Sequence, residues 1–418
     1  MELSKYNILK KTTGEYYLFN TFSKSVVKLT DEIGDILEKK DLFLLEDDIK
    51  KALYQNGLLV DNQEHEKEVL HNQYLKIRNN KDNIFITLLP TMKCNFRCPY
   101  CFEGSDVKNE DVEMDFETLK KAADIHLIGK KHVHITLFGG EPLLKWKQLR
   151  DFFLYLEALS KKYKFTYSSS IATNAYFLNE IIIEDLIKLF HMESFQVTID
   201  GYEKTHNNTR ATLNGERTYN RVLNNFKQLV KKNESHKLNV LLRINLLNNQ
   251  LKEVEELLNS FSEQEKKKFE IYFRPIYDTK EFHNSNSTKN NDLEPFYILA
   301  RERGFRTHYG NYVRFWHCEG DGGLEQIHIM PNLSIWKCVN NMDINEANIG
   351  QILPNGEVVL NKEKIDEWKK NDPFDDEKCS DCVLLPICWG GCPLNFLKKN
   401  IRTCIYEKNF DFIDTFIK

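Results

Sequence analysis

Between Ile84 and Ala300 the chain switches six times from a short β-branched or aromatic run to a longer segment with helical periodicity. The strand-like runs are Ile84–Leu89, His132–Phe138, Phe165–Thr173, Ser194–Ile199, Leu238–Leu246 and Phe269–Ile276. Between them, Phe116–Ile128, Lys147–Tyr163, Glu180–Leu189, Tyr219–Lys232 and Leu251–Phe261 repeat apolar residues every three or four positions. Such spacing requires parallel strands joined by right-handed crossovers. Six units fall short of the eight that close a barrel, so the predicted fold class is α/β, a partial (β/α)6 barrel over residues 84–305. Functional residues should then collect at the carboxyl ends of the strands.

The first two strand ends carry the expected chemistry. After the first comes Cys94-Asn-Phe-Arg-Cys98-Pro-Tyr-Cys101, three thiols on one loop with no fourth nearby. A zinc ribbon or a closed iron–sulfur site uses four protein ligands. Three can hold three irons of a [4Fe–4S] cube and leave the last open to another molecule. After the second strand stands Phe138-Gly139-Gly140-Glu141-Pro142. Its glycines let backbone approach closely, and carbonyls with a carboxylate suit an ammonium group. Taken alone, it is equally a common turn.

The flanks differ in character. Over Met1 to about Leu75, two β-like runs (Tyr16–Asn20 and Ser25–Leu29) precede an expected Thr30 N-cap. Ile33, Ile36 and Leu37 share a helical face, and a second helix, roughly Leu45–Asn56, ends at Gly57 before Leu58–Val60. The layout is a small module of winged-helix character. Of the ten cysteines, seven follow residue 317: Cys318, Cys338, Cys379, Cys382, Cys388, Cys392 and Cys404. The four from Cys379 to Cys392 would by themselves read as a zinc ribbon. With 58 basic and 62 acidic residues, nothing in the charge balance calls for nucleic acid or a membrane surface. Met1–Lys11 is polar, so the chain is expected in the cytoplasm, where cysteines suit metals better than disulfides.

A CxxxCxxC loop followed at this distance by Gly-Gly-Glu-Pro resembles the radical S-adenosylmethionine (SAM) superfamily. The resemblance implies a [4Fe–4S] cluster on Cys94, Cys98 and Cys101, whose open iron chelates SAM. It also implies cofactor contacts from Tyr100, from Gly139, Gly140, Glu141 and Pro142, from Thr173 and Asn174, and from Thr198, Asp200 and Arg210, the last pairing with the SAM carboxylate. Ala175 stands where a glycine is usual. Arg243 and Asn245 are weaker candidates, equally suited to capping the strand. The surroundings Leu-Pro-Ile-Cys388-Trp-Gly-Gly-Cys392-Pro resemble the SPASM domain, expected here over 306–418. That implies two auxiliary [4Fe–4S] clusters, one on Cys379, Cys382, Cys388 and Cys404, the other on Cys318, Cys338 and Cys392. With Leu324 at a usual cysteine position, His317, Glu319 or Asp321 could complete the second, or its iron could stay open to a substrate thiolate. Leu333 replaces a usual turn glycine before Cys338, and Asn332 is expected to take the positive φ instead.

In such enzymes the reduced cluster splits SAM into methionine and a 5′-deoxyadenosyl radical, which takes hydrogen from a substrate C–H bond. An electron donor such as flavodoxin or ferredoxin would supply the electron. The amino-terminal module resembles elements that bind the leader of a precursor peptide by adding a strand to a β edge. Sulfatase maturases carry Asp after the cysteine equivalent to Cys338; Val339 stands here. The expected function is therefore a peptide maturase that forms an intramolecular crosslink, a cysteine-derived thioether ahead of carbon–carbon or carbon–oxygen links. A maturase-like protein oxidase, a SAM enzyme for small molecules and a zinc adaptor are the other readings. Tyr100, Asp200, Tyr277 and Asp278 are equal candidates for proton transfer.

Overall fold

The computed structural model describes the chain except residues 13, 102, 104–111, 235–236, 248–249, 277–292, 309–317, 319–322, 324, 340–344, 403 and 405–418. Tyr277, Asp278, His317, Glu319, Asp321 and Leu324 therefore lie outside the described residues. The chain forms two compact units: Met1–Asn80 with Tyr309–Leu324 and Glu363–Lys418, and Lys81–His308 with Glu325–Lys362.

The first unit begins with β1 (Glu2–Leu3), β2 (Asn7–Thr12), β3 (Glu15–Asn20) and β4 (Val26–Leu29). Helices α1 (Asp31–Lys39) and α2 (Asp47–Gln55), strand β5 (Leu59–Val60) and helix α3 (Gln63–Arg78) follow. Thr30 caps α1 as expected, its hydroxyl accepting from Ile33 N at 3.3 Å. The sheet order is β2-β3-β4, and β5 pairs separately with β1.

The second unit is organised by one eleven-stranded sheet. Its parallel part comprises β6 (Asn83–Leu88), β7 (His132–Leu137), β8 (Thr166–Thr173), β9 (Met192–Thr198), β10 (Asn239–Leu246), β11 (Glu270–Pro275) and the short β12 (Arg306–Thr307). The intervening helices are α4 (Phe116–His126), α5 (Trp146–Tyr163), α6 (Glu180–Lys188), α7 (Glu203–Thr209), α8 (Tyr219–Lys232), α9 (Leu251–Asn259), α10 (Glu263–Lys266) and α11 (Glu294–Glu302). All six expected strands are present. Because they pair in strict chain order, right-handed crossovers put the helices on one face. Beyond β6 the sheet continues through β13 (Gln326–Ile329), β14 (Ser334–Trp336), β15 (Asn348–Ile352) and β16 (Val358–Leu360). Strand β13 runs parallel to β6, and the rest form an antiparallel meander.

Register sorts the side chains by face. Val133, Ile135 and Leu137, with Phe195, Val197, Leu242, Ile244, Ile271 and Phe273, are buried on the helix side. The opposite face carries His132, His134 and Thr136, aligned with Thr166, Ser168 and Ser170, then Gln196, Thr198, Arg243, Asn245, Tyr272 and Arg274. A closed barrel fills that face with branched apolar residues; this one is polar. One ladder is continuous: His132 bonds Thr166 at 2.8 Å and Ser168 at 3.1 Å, and His134 bonds Ser168 at 2.8 Å and Ser170 at 3.1 Å.

After the sheet the chain returns to the first unit with α12 (Lys362–Lys369), α13 (Glu377–Ser380), α14 (Leu385–Cys388) and α15 (Pro393–Lys399). Tyr6, Leu70 and Tyr74 share one core with Leu385 and Trp389, and Lys5 Nζ lies 2.5 Å from Asp381. Linear boundaries at 75, 84 and 306 miss this arrangement, because the two ends of the chain pack on each other. Among the described residues no helix is long and apolar enough to cross a membrane.

The turn before Cys338 corrects one expectation. Leu333 itself takes the positive φ, +61°, and Asn332 instead accepts from Ser334 N at 3.0 Å. The Asx bond already holds the turn, and Leu333 is buried, so packing offsets the strain. Lys164, exposed at the end of α5, also sits at φ +60°. Glycine is favoured at such a position. Lys164→Gly should therefore stabilise the protein by about 1 kcal/mol, and Lys164→Ala should not. Denaturant midpoints of the two variants check this.

Candidate active site

The loop from Cys94 to Cys101 leaves the carboxyl end of β6. A second segment holds it open: Arg97 N donates to Ala211 O and Leu213 N to Asn95 O, both at 3.0 Å. Within the loop, Phe96 N points at Cys94 Sγ (3.4 Å), and Arg97 Nη1 donates to Cys94 O (2.7 Å) and Phe96 O (2.9 Å). The three cysteines are not disulfide-bonded and are half-buried.

The Gly-Gly-Glu-Pro turn presses against the approach to this loop. Gly140 N donates to Thr91 O at 3.1 Å and Glu141 N to Lys93 O at 3.0 Å. Gly139 sits at φ +106°. The Glu141 carboxylate is fully buried and committed within the fold. It accepts from Thr173 Oγ1 (2.8 Å), Leu143 N (3.1 Å) and Asn174 N (2.8 Å), tying the end of β7 to the end of β8. Pro142 opens the short 3-10 turn Pro142–Lys145. Asn174 Nδ2 in turn donates to Asn95 Oδ1 (2.8 Å) and lies 3.8 Å from Cys94 Sγ. Ala175 takes φ +61°, so the usual backbone turn survives without glycine. Thr173 Oγ1 supports it by accepting from Ala175 N at 3.0 Å.

On the other side of the loop a polar network surrounds Tyr100. Its hydroxyl donates to Asp200 and accepts from Arg210 Nη1 (3.1 Å) and Asn245 Nδ2 (3.2 Å). Asp200 also accepts from Thr209 Oγ1 (3.0 Å) and Asn245 Nδ2 (3.1 Å). Thr198, at the end of β9, is half-buried and in register with Arg243 of β10. Burial and the Asp200 carboxylate push the Tyr100 phenol well above its usual range. Burial works against the Arg210 charge, but Cys98, Tyr100 and Asp200 more than offset it and hold the guanidinium cationic. Behind it, burial and then Arg210 push His206 far down, keeping that imidazole neutral against Asp200 N and Thr218. Asn245, weakly indicated by sequence, is thus a full member of the network. His206 and Thr209 were missed; they sit on α7, a seven-residue helix without a long apolar repeat.

The residues fit the cofactors that the motif implies. Three thiols share one loop, and two buried donors beside it, Arg210 Nε and Asn95 Nδ2, have no hydrogen-bond partner. A zwitterionic ligand would use such donors. Among the described residues no group of three histidine, cysteine or carboxylate side chains is arranged for a single metal ion.

In the carboxyl segment Cys379 lies on α13, Cys388 on α14 and Cys382 between them. Cys379 N donates to Asp376 Oδ1 at 2.9 Å, and Leu384 N points at Cys382 Sγ at 3.4 Å. Burial, Asp376 and the nearby Cys388 push the Cys379 thiol up to about 12. Burial and Cys404 raise Cys382. Cys392 caps α15. Cys338 follows β14, and Cys318 is half-buried in the first unit.

Residues 88–261 match the sequence profile of the Radical SAM superfamily. A Cysteine-type anaerobic sulfatase-maturating enzyme of Clostridium novyi is 25% identical over 337 residues, 72% of this chain and 85% of that protein. Among solved structures, anSMEcpe with bound AdoMet superposes with a TM-score of 0.55 at 20% identity, over 74% of this chain and 86% of that one. Streptococcus suis SuiB superposes with a TM-score of 0.51 at 16% identity, over 97% of this chain and all of that one. SuiB bound to precursor peptide SuiA gives 0.50. With their three-thiol loop, glycine turn and sequentially ordered parallel sheet, residues 88–261 carry a radical SAM domain within the α/β fold of these structures.

Proposed function

We propose that this enzyme matures a ribosomally made precursor peptide by forming an intramolecular crosslink, a thioether from a cysteine sulfur to a carbon of another residue. The observation that carries the reading is the polar face of the parallel sheet, which leads up to the three-thiol loop and suits a polar chain. When bound, the SAM-loaded cluster supplies the radical that removes hydrogen from carbon. The protein's own residues orient and shield: Arg210 and Asn95 offer donors for the cofactor, and Glu141 locks the turn beneath the loop. The carboxyl cysteines would hold two auxiliary clusters that take up the surplus electron, Cys379, Cys382, Cys388 and Cys404 forming one set and Cys318, Cys338 and Cys392 the other.

Among the described residues, strands β2 and β4 each pair on one side only, which supports strand addition by a leader peptide to the winged-helix-like module. The full-length likeness to SuiB is a likeness of fold to a protein solved with its precursor peptide. Formylglycine formation is disfavoured by Val339. It is buried with Leu89, Met92 and Met330, an apolar setting that would penalise an aspartate by several kcal/mol.

The test is anaerobic turnover of cysteine-containing peptides, with their leaders, taken from short reading frames that flank the gene. The expected product is two hydrogens lighter and has lost one alkylatable thiol. Without its leader, the same peptide should be processed at least tenfold more slowly. A product that keeps its free thiol, or carries an aldehyde, would overturn the reading. Iron should reach roughly twelve per chain if all three cubes assemble.

A further inference from the structure

Arg243 stands half-buried on the polar face of β10, in register with Thr198 of β9 and Tyr272 of β11. Its Nε donates to Asn245 Oδ1 at 2.8 Å. That bond fixes the plane of the guanidinium and leaves the fork of terminal nitrogens uncommitted. Among the described residues, Arg243 makes no ion pair. Nearby acids are already engaged: Asp200 holds Tyr100, Thr209 and Asn245, while Glu270 faces His308 (3.4 Å) and Arg306 (3.6 Å). Arg274, aligned with Asn245, adds a second cation. Burial and Arg274 both work against the Arg243 charge, Tyr272 only partly offsetting them. A guanidinium that makes no ion pair suits an anion, and its planar fork meets a carboxylate in two parallel bonds. SAM brings one carboxylate, but Arg210, with its unpartnered Nε and its position beside Cys98, is the better placed to take it.

We propose that Arg243 receives a side-chain carboxylate of the substrate, so that the enzyme selects peptides bearing aspartate or glutamate close to the carbon that loses hydrogen. This rests on the peptide reading above. Arg243 is also linked to the cluster loop, because Asn245 bonds both Arg243 and Tyr100. An anion seated on the fork would therefore be sensed at the loop.

The test uses the reconstituted holoenzyme with SAM bound and three probes: N-acetyl-aspartyl methylamide, its asparaginyl counterpart, and N-acetylalanine with a free α-carboxylate. Saturation-transfer NMR should show the aspartyl probe binding at least about tenfold more tightly than the other two. Arg243→Gln should abolish that preference. Arg243→Lys, which keeps the charge but loses the fork, should retain part of it and serves if the glutamine variant fails to load its cluster. Equal binding of the asparaginyl probe, or an unchanged preference in both variants, would overturn the proposal. So would equal binding of N-acetylalanine, or displacement of the aspartyl probe by SAM. Probe selectivity without crosslinked product would sink the peptide reading and spare the anion site. Crosslinking without selectivity would do the reverse.

Discussion

Gly140→Ala should leave the protein folded and nearly inert. A Cβ at this position would lie 2.2 Å from Lys93 O and 2.4 Å from Met92 O, both backbone atoms of the segment that delivers Cys94. Backbone cannot swing aside as a flexible side chain can. Two hydrogen bonds, Gly140 N to Thr91 O and Glu141 N to Lys93 O, fix the approach. Relief must come by moving the turn away from the loop, and a displacement of about 1 Å near reacting groups costs on the order of a hundredfold in rate. We expect 5′-deoxyadenosine release to fall by at least that factor, with far-ultraviolet circular dichroism unchanged. Normal iron content together with wild-type SAM cleavage would show that the turn does not set the position of the loop.

Glu141→Ala is expected to act through stability first. It strips a buried acceptor from Thr173 Oγ1, Leu143 N and Asn174 N at once. Buried donors left unpaired cost about 1–3 kcal/mol each and do not add fully, so a loss of roughly 4 kcal/mol is reasonable. At this size the thermal midpoint should drop by roughly 5 °C. Asn174 would lose its anchor and with it the bond to Asn95, so SAM binding should weaken in parallel. Burial raises the Glu141 pKa above its usual 4.5, although the three bonds pull against it. A raised carboxyl pKa means that the folded state holds the proton to higher pH than the unfolded state does. The contribution of this group to stability is then fully present below pH 4.5 and declines as pH rises through the folded-state value. Glu141→Gln should remove that slope. A pH series of melting points reads it directly, and identical slopes in the two proteins would contradict the assignment.

Much of this was legible because the barrel repeats one unit. Each strand is short and β-branched, and α8, with Val222, Leu223, Phe226, Leu229 and Val230 buried, writes its inward stripe plainly. The three-thiol loop and the glycine turn were legible because they sit at strand ends. The polar face was readable too: His132-Val-His134-Ile-Thr136-Leu137 alternates with period two, but its polar half signals nothing until register aligns it with Ser168 and Ser170. Helix α3 escaped because only Glu66, Leu70 and Tyr74 are buried along its sixteen residues. Its partners, Leu385 and Trp389, lie three hundred positions away, and local patterning carries no trace of such packing. Leu333 misled for a different reason. Propensity assigns a left-handed turn to asparagine, and here burial of the leucine overrode it.

The strand that presents the three thiols is not at a margin of its sheet. Strand β6 is hydrogen-bonded to β7 on one side and β13 on the other, and among the described residues the sheet terminates instead in β12 and β16, two and three residues long. Exposed strand margins recruit other chains, and brief ones do so poorly. When oxygen strips the iron, the polypeptide beneath should therefore stay dispersed and correctly threaded, ready for refilling.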